Sequence, residues 1–143
     1  MARTAPLVAS PLDAALTRVG DRWTLLVVAA LMEAPRRFND LAEAVAGIAP
    51  NTLSDRLRSL EREGLVVARP YSSHARRHAY ELTAAGLELA GALRLLAEWG
   101  ARHSGTAEPL RHAVCGGTLE ARWYCPTCER VVDDPEAGET DWV

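Results

Sequence analysis

The 143-residue chain contains no lysine, so all sixteen of its basic side chains are arginine. Cysteine is absent until position 115, and Cys115, Cys125 and Cys128 then fall within one short stretch. No run of ~18 uninterrupted apolar residues occurs, which excludes an ordinary membrane-spanning helix. The longest such run, "WTLLVVAALM", lies between Arg22 and Glu33 and reads as a buried helix. The opening "MARTAPLVASPLD" has one arginine and no sustained apolar core, which argues against a secretory signal. These absences point to the cytoplasm, where thiols stay reduced and grouped cysteines bind metal more often than they form disulfides. Neither a nucleotide-binding loop nor a paired acid and base is evident, which argues against an enzyme.

The net charge of −3 is unevenly spread. From Arg36 to Leu82 eight arginines face six acids, whereas Val131 to Val143 holds five acids and no base. Acid is concentrated in a tail, expected over 133–143 to be disordered, and the middle of the chain can still approach a phosphate backbone.

Periodicity supplies the architecture. Leu12, Ala15, Leu16 and Val19 recur at helical spacing and Gly20 ends that segment. A second helix carries Trp23, Leu26, Val27, Ala30 and Leu31, with Asp21 placed as its cap and Pro35 closing it. "RRF" is a strand stub, and "NDLAEAV" a short helix capped by Asn39 and broken at Gly47. The next helix starts at Pro50, where a missing N–H does no harm, bears Leu53, Leu57 and Leu60 on one side and stops at Gly64. Its opposite side offers Asn51, Asp55, Arg58 and Arg62, with Thr52, Ser54 and Ser59 on the flanks. "LVVARP" and "HAYEL" form a hairpin with a basic tip, "SSHARRH". Thr83 caps a long helix to about Arg102, whose Ala85, Leu89, Ala92, Leu93, Leu95, Leu96 and Trp99 cover a wider arc than one core needs. A helix of that kind commonly packs against the same helix of a second subunit. The resulting domain runs over 10–102, followed by a linker at 103–110 and the cysteine region at 111–132.

Helix, helix, strand stub, helix, helix and hairpin is the order of a winged helix-turn-helix, in which the helix from Pro50 would enter the major groove. The fold class is mainly α with a small β-hairpin, and winged helices also serve as protein-binding modules. "GDRWTLLVVAALMEAPRRFNDLAEAVAGIAPNTLSDRLRSLEREGLVVARPY", followed by "YELTAAGLELAGALRLLAEWG", resembles the HxlR-type winged-helix transcription regulators, relatives of the MarR group, over about residues 11–100. The resemblance implies a homodimer, built through the N-terminal and long C-terminal helices, that binds an inverted-repeat operator in double-stranded DNA. It indicates no effector. Many members of that family begin the first helix with Cys-Pro, and some sense oxidants with that cysteine. Here Ser10-Pro11 stands in its place, and serine forms neither thiolate nor disulfide.

On this reading Arg58 is the first candidate for a base contact, since a guanidinium donates two parallel bonds to guanine O6 and N7, and Asn51 is suited to adenine. Thr52 and Ser54 would hold a phosphate at the helix N-terminus, Asp55 would face cytosine or orient Arg58, and Arg62 extends the same face. Arg76 and Arg77 at the wing tip are suited to phosphates or a narrow minor groove. Arg36 and Arg37 are further phosphate candidates, and His74 and His78 read as ordinary polar residues. Each position on the helix also reads as a solvated surface with local ion pairing.

The last motif is His112-x2-Cys115-x9-Cys125-x2-Cys128. Two ligand pairs, each separated by two residues, suit a tetrahedral, structural Zn2+ with no open position, in the manner of a zinc knuckle or ribbon. Gly116 and Gly117 allow the positive φ of such a loop, whereas Glu129 stands where a second glycine would be preferred. A redox pair in "CPTC" and three unused thiols remain alternative readings. A winged helix joined to a zinc ribbon also suits a protein-interaction module of the transcription machinery. The segment has few large apolar residues, chiefly Leu119, Trp123, Val131 and Val132, so a metal would take the place of a core.

Overall fold

The computed structural model describes residues 10–72, 77–105 and 108–132. They divide into two compact units, one ending at Leu93 and the other running on from Arg94.

In the first unit, side-chain caps set where helices begin. Ser10 Oγ accepts the Asp13 N–H at 3.1 Å and starts α1 (Pro11–Val19), so the position of the family's cysteine here serves as a helix cap. Asp21 Oδ1 accepts the Thr24 N–H at 2.9 Å and starts α2 (Arg22–Glu33). The strand stub β1 (Arg36–Arg37) leads directly into α3 (Phe38–Ala44). The cap expected at Asn39 falls two residues earlier: Arg37 occupies the N-cap position, and Asp40 Oδ2 accepts its N–H at 3.2 Å. Gly47, at φ +87°, turns the chain towards α4 (Pro50–Arg62).

Most of the expected stripe of α2 reaches the core: Val27 and Leu31 are buried and Trp23 and Ala30 pack against it, but the face extends to Thr24 and Val28 in place of Leu26. Val27, Val28 and Leu31 are buried together with Thr24, while Leu26 is exposed. They meet Leu41 and Val45 around α3, Ile48, the three leucines of α4, and Val66 in one core. Leu53, Leu57 and Leu60 are at most 2% exposed, so burial of the helix rests on those three positions. Two antiparallel strands, β2 (Val66–Pro70) and β3 (His78–Leu82), form the wing, with Val66 opposite Leu82 and Pro70 opposite His78. β1 pairs on the far side of β3, giving the order β1-β3-β2. Ser73, His74, Ala75 and Arg76, which carry most of the expected tip, lie outside the described residues.

The single long helix expected from Thr83 is two. Thr83 Oγ1 accepts the Gly86 N–H at 3.2 Å and starts α5 (Ala84–Leu87), and α6 (Ala90–Ser104) follows. Leu89 N–H bonds the carbonyl of Gly86 at 3.2 Å, a tight three-residue turn that brings Leu89, and Leu93 after it, against the main core. No residue of α6 is fully buried, and Leu95, Leu96 and Trp99 are exposed. On α1, Leu12 and Leu16 are equally open. α6 runs two residues past Arg102, into the segment expected to be a linker.

In the second unit, a lone antiparallel bridge joins Arg111 to Thr118, and β4 (Trp123–Cys125) pairs with β5 (Arg130–Val132). No residue described from 108 to 132 is fully buried. The acidic segment 133–143 lies outside the described residues. Among the described residues no helix is long and apolar enough to cross a membrane.

Candidate nucleic-acid interface

α4 separates its two sides as its sequence requires. With Leu53, Leu57 and Leu60 inward, Asn51, Asp55, Arg58 and Arg62 are exposed and Thr52 and Ser54 are half-buried beside them. Arg58 Nη1 lies 3.5 Å from Asp55 Oδ1, with side chains 74% and 69% exposed. An exposed pair of this kind contributes at most about 0.5 kcal/mol, whereas a bidentate arginine–guanine contact is worth about 1–3 kcal/mol. The pair therefore orients Arg58 without competing with a base.

The start of α4 differs from those of α1, α2 and α5, each closed by a side chain. Its N-cap is Ala49, which has no acceptor, and Pro50 brings no N–H. The first helical bond is Leu53 N–H to Ala49 O at 2.9 Å, so the N–H groups of Asn51 and Thr52 are left to an outside acceptor. Helix N-termini of this kind suit phosphate oxygens.

Other arginines are occupied. Arg36 donates from Nε to Ala30 O at 3.0 Å and pairs through Nη2 with Glu33 at 2.5 Å, closing the end of α2. Arg56 Nε lies 3.1 Å from Asp21 Oδ1 and ties α4 to the start of α2. Arg18 meets Glu63 at 2.9 Å, and Arg69 pairs with Glu81 across the wing strands. Arg37, Arg62 and Arg77 make no ion pair among the described residues. The Arg37 guanidinium lies 4.4 Å over the ring of Tyr71, whose N–H bonds Arg77 O at 3.1 Å. Arg37, Tyr71, Arg77 and His78 thus line one shallow cleft beside the start of α3. Reading the sequence alone paired Arg37 with Arg36 and overlooked Tyr71; the signal was an aromatic residue directly after Pro70, where the strand leaves the core.

In the cysteine region, His112 Nδ1 and Cys115 Sγ are 3.2 Å apart. Cys125 and Cys128 form a second pair. The N–H of Cys128, its thiol and the N–H of Thr127 hold the Cys125 thiol below its ordinary range, and the bond to Cys125 and that group's charge push Cys128 up. The four expected ligands thus form two pairs, and among the described residues no three such donors gather around one point.

Residues 18–108 match the HxlR-like helix-turn-helix family. An uncharacterised HTH-type transcriptional regulator of Mycobacterium tuberculosis is 43% identical over 118 residues, spanning 80% of this chain and 74% of the relative. Among solved structures, a Pseudomonas aeruginosa protein described as a transcription factor superposes with a TM-score of 0.62 at 29% identity, over 90% of this chain and 95% of its own. The redox regulator HypR in its reduced form superposes with a TM-score of 0.62 at 26% identity, over 66% of this chain and 94% of its own. The chain belongs to the HxlR-like helix-turn-helix family of transcription regulators.

Proposed function

We propose that the protein regulates transcription as a homodimer that reads an inverted-repeat operator, with α4 in the major groove. The observation that carries this reading is α4 itself: apolar and sealed on one side, and on the other exposing Asn51, Asp55, Arg58 and Arg62 behind an uncapped N-terminus. Arg58 and Asn51 read bases, and the N–H groups of Asn51 and Thr52, with the hydroxyls of Thr52 and Ser54, hold a phosphate. Arg37 and Arg77, beside Tyr71, meet the backbone further along, and Arg76, which lies outside the described residues, is joined to them by its place in the sequence. Arg36 leaves the set, because its guanidinium closes α2.

The exposed Leu12 and Leu16 of α1, and separately the exposed Leu95, Leu96 and Trp99 of α6, support the homodimer, since so many large apolar side chains open to water on two helices are unfavourable in a monomer. Paired recognition helices would then lie one turn of DNA, ~34 Å, apart. The protein works in the cytoplasm, with its operator. The test compares Arg58→Ala with the parent on operator and scrambled duplexes. We expect a loss of about 1–3 kcal/mol on the operator, relaxed preference at one base pair, and little change on scrambled DNA. Equal losses on both duplexes would refute base reading by Arg58.

A further inference from the structure

The region from 108 to 132 poses a physical problem. It forms an antiparallel bridge and a two-stranded hairpin, yet none of its residues is fully buried. Val114 is 87% exposed, and Leu119, Trp123, Tyr124 and Val131 are all open to solvent. An isolated hairpin with no buried side chain is marginal in water, and units of this size ordinarily need a covalent or metal cross-link. The three cysteines are free thiols, so no disulfide supplies one.

The two loops that carry the donors are the same loop twice. In the first, His112 is followed three residues on by Cys115, then by Gly116 at φ +69°, then by Gly117, whose carbonyl accepts the His112 N–H at 2.8 Å. In the second, Cys125 is followed three residues on by Cys128, then by Glu129 at φ +53°, then by Arg130, which pairs with Cys125 across β4 and β5. Both therefore place two donors on a tight turn, with a left-handed residue directly after the second donor. In the first, Gly117 lies so near that an added Cβ would stand 3.3 Å from Cys115 Sγ. The left-handed backbone is free for Gly116 but costs a glutamate about 1–2 kcal/mol, a cost that persists only where the loop has a reason to keep that shape.

We propose that these two loops are half-sites for one structural zinc ion, with His112 and Cys115 supplied by the first and Cys125 and Cys128 by the second. In the structure each pair satisfies itself, His112 on Cys115 and Cys125 with Cys128. Zinc takes over those lone pairs: three thiols give up their protons to solvent, neutral His112 donates one ring nitrogen, and Zn2+ with three thiolates carries one net negative charge. Three sulfurs and one nitrogen select zinc among abundant divalent ions and leave no open position for catalysis. The cross-link ties the Arg111–Thr118 bridge to the β4–β5 hairpin and supplies the stability that burial does not.

The test uses the full chain. Protein purified without added metal is assayed for zinc, stripped with a chelator and titrated with zinc chloride while released protons are counted. Cobalt(II) serves as the optical probe. We expect one zinc per chain, proton release on binding, and the thiolate charge-transfer and intense visible bands of a tetrahedral cobalt site. Cys115→Ser and Cys125→Ser, one in each loop, should each weaken zinc binding by about 100-fold or more, because a shared ion needs both half-sites. His112→Cys keeps four donors and should retain zinc, which separates ligand loss from misfolding. Undiminished affinity in either serine variant would overturn a shared site. Absence of zinc uptake together with a reversible Cys125–Cys128 disulfide would overturn it in favour of a redox pair. Failure in either way leaves the reading of α4 untouched, since operator binding is measured separately.

Discussion

Replacing Gly86 with alanine sets two rules against each other. Gly86 lies within α5, and helix propensity alone predicts that alanine stabilises by up to about 1 kcal/mol. The packing predicts the opposite. A Cβ at Gly86 would stand 2.2 Å from the carbonyl oxygen of Leu65, 3.2 Å from its carbonyl carbon and 3.1 Å from Leu82 Cδ2. Two of those three atoms are backbone and cannot rotate away, so α5 itself must withdraw. Withdrawal strains the bond from Thr83 N–H to Leu65 O, 3.0 Å, and that from Thr83 Oγ1 to Gly64 O, 2.6 Å, which together fasten α5 to the turn after α4. Overpacking costs about 1–3 kcal/mol and a weakened hydrogen bond about 1 kcal/mol more, against about 1 kcal/mol gained from propensity. The net expectation is a loss of about 1–3 kcal/mol, a fall in Tm of at least ~4 °C for a unit of this size. Thermal and urea unfolding followed by circular dichroism, at one fixed protein concentration, measures it. Gly91→Ala is the control: nothing lies within 4 Å of a Cβ there, and it should be neutral or slightly stabilising. If Gly86→Ala is as stable as the parent, the close approach of α5 to Leu65 is wrong, and with it the attachment of α5 to the turn after α4.

Asp21→Ala should cost about 1 kcal/mol, since it removes the cap of α2 and the partner of Arg56. The Thr24 N–H holds the Asp21 carboxyl below its ordinary range despite partial desolvation, with Arg56 adding to the effect. Its contribution is therefore complete above the unfolded carboxylate pKa of ~3.9 and lost as pH falls through the lower folded value, so parent and variant should converge in acid unfolding curves. Arg37→Ala combined with Arg77→Ala should weaken operator and scrambled DNA alike and reduce the slope of log affinity against log salt by about 2; an unchanged slope would remove both from the phosphate contacts. Sedimentation at micromolar concentration should give twice the chain mass, and Leu96→Asp with Trp99→Asp should give a monomer that folds but binds the operator weakly. A parent monomer with full operator affinity would refute the dimer.

Where an element is set by its own residues, the sequence was sufficient. Leu53, Leu57 and Leu60 fall on one side of any helix through Pro50, and Asp21 and Thr83 mark two helix starts without reference to the rest of the fold, whereas the cap at Ser10 was seen only in the structure. The HxlR-like assignment rests on the same local signals taken in order. The break after Leu87 was not legible, because the residues at the break itself, Glu88, Leu89 and Ala90, are all helix formers and the interruption arises where Leu89 meets a distant core. On α2 the sequence placed Trp23, Val27, Ala30 and Leu31 towards the core but could not separate exposed Leu26 from buried Val28, because nearly every residue in it is apolar and periodicity has little contrast to work on.

The arginines show the limit most clearly. In a chain with lysine, the choice between a compact ammonium and a forked guanidinium hints at which cations are paired and which are open. Here every cation is a guanidinium, so that hint is gone and position alone decides. Arg36 and Arg37 are adjacent in a strand, where neighbouring side chains take opposite faces. One therefore turns back onto the end of α2 while the other lies over Tyr71, although their composition and local charge are identical. The same division separates Arg56, drawn to Asp21 from one flank of α4, from Arg58 and Arg62 on its open face. An arginine left open for the proposed DNA contact is thus defined by what its backbone turns away from, and the acids at Glu33, Asp21, Glu63 and Glu81 mark arginines that the fold keeps for itself.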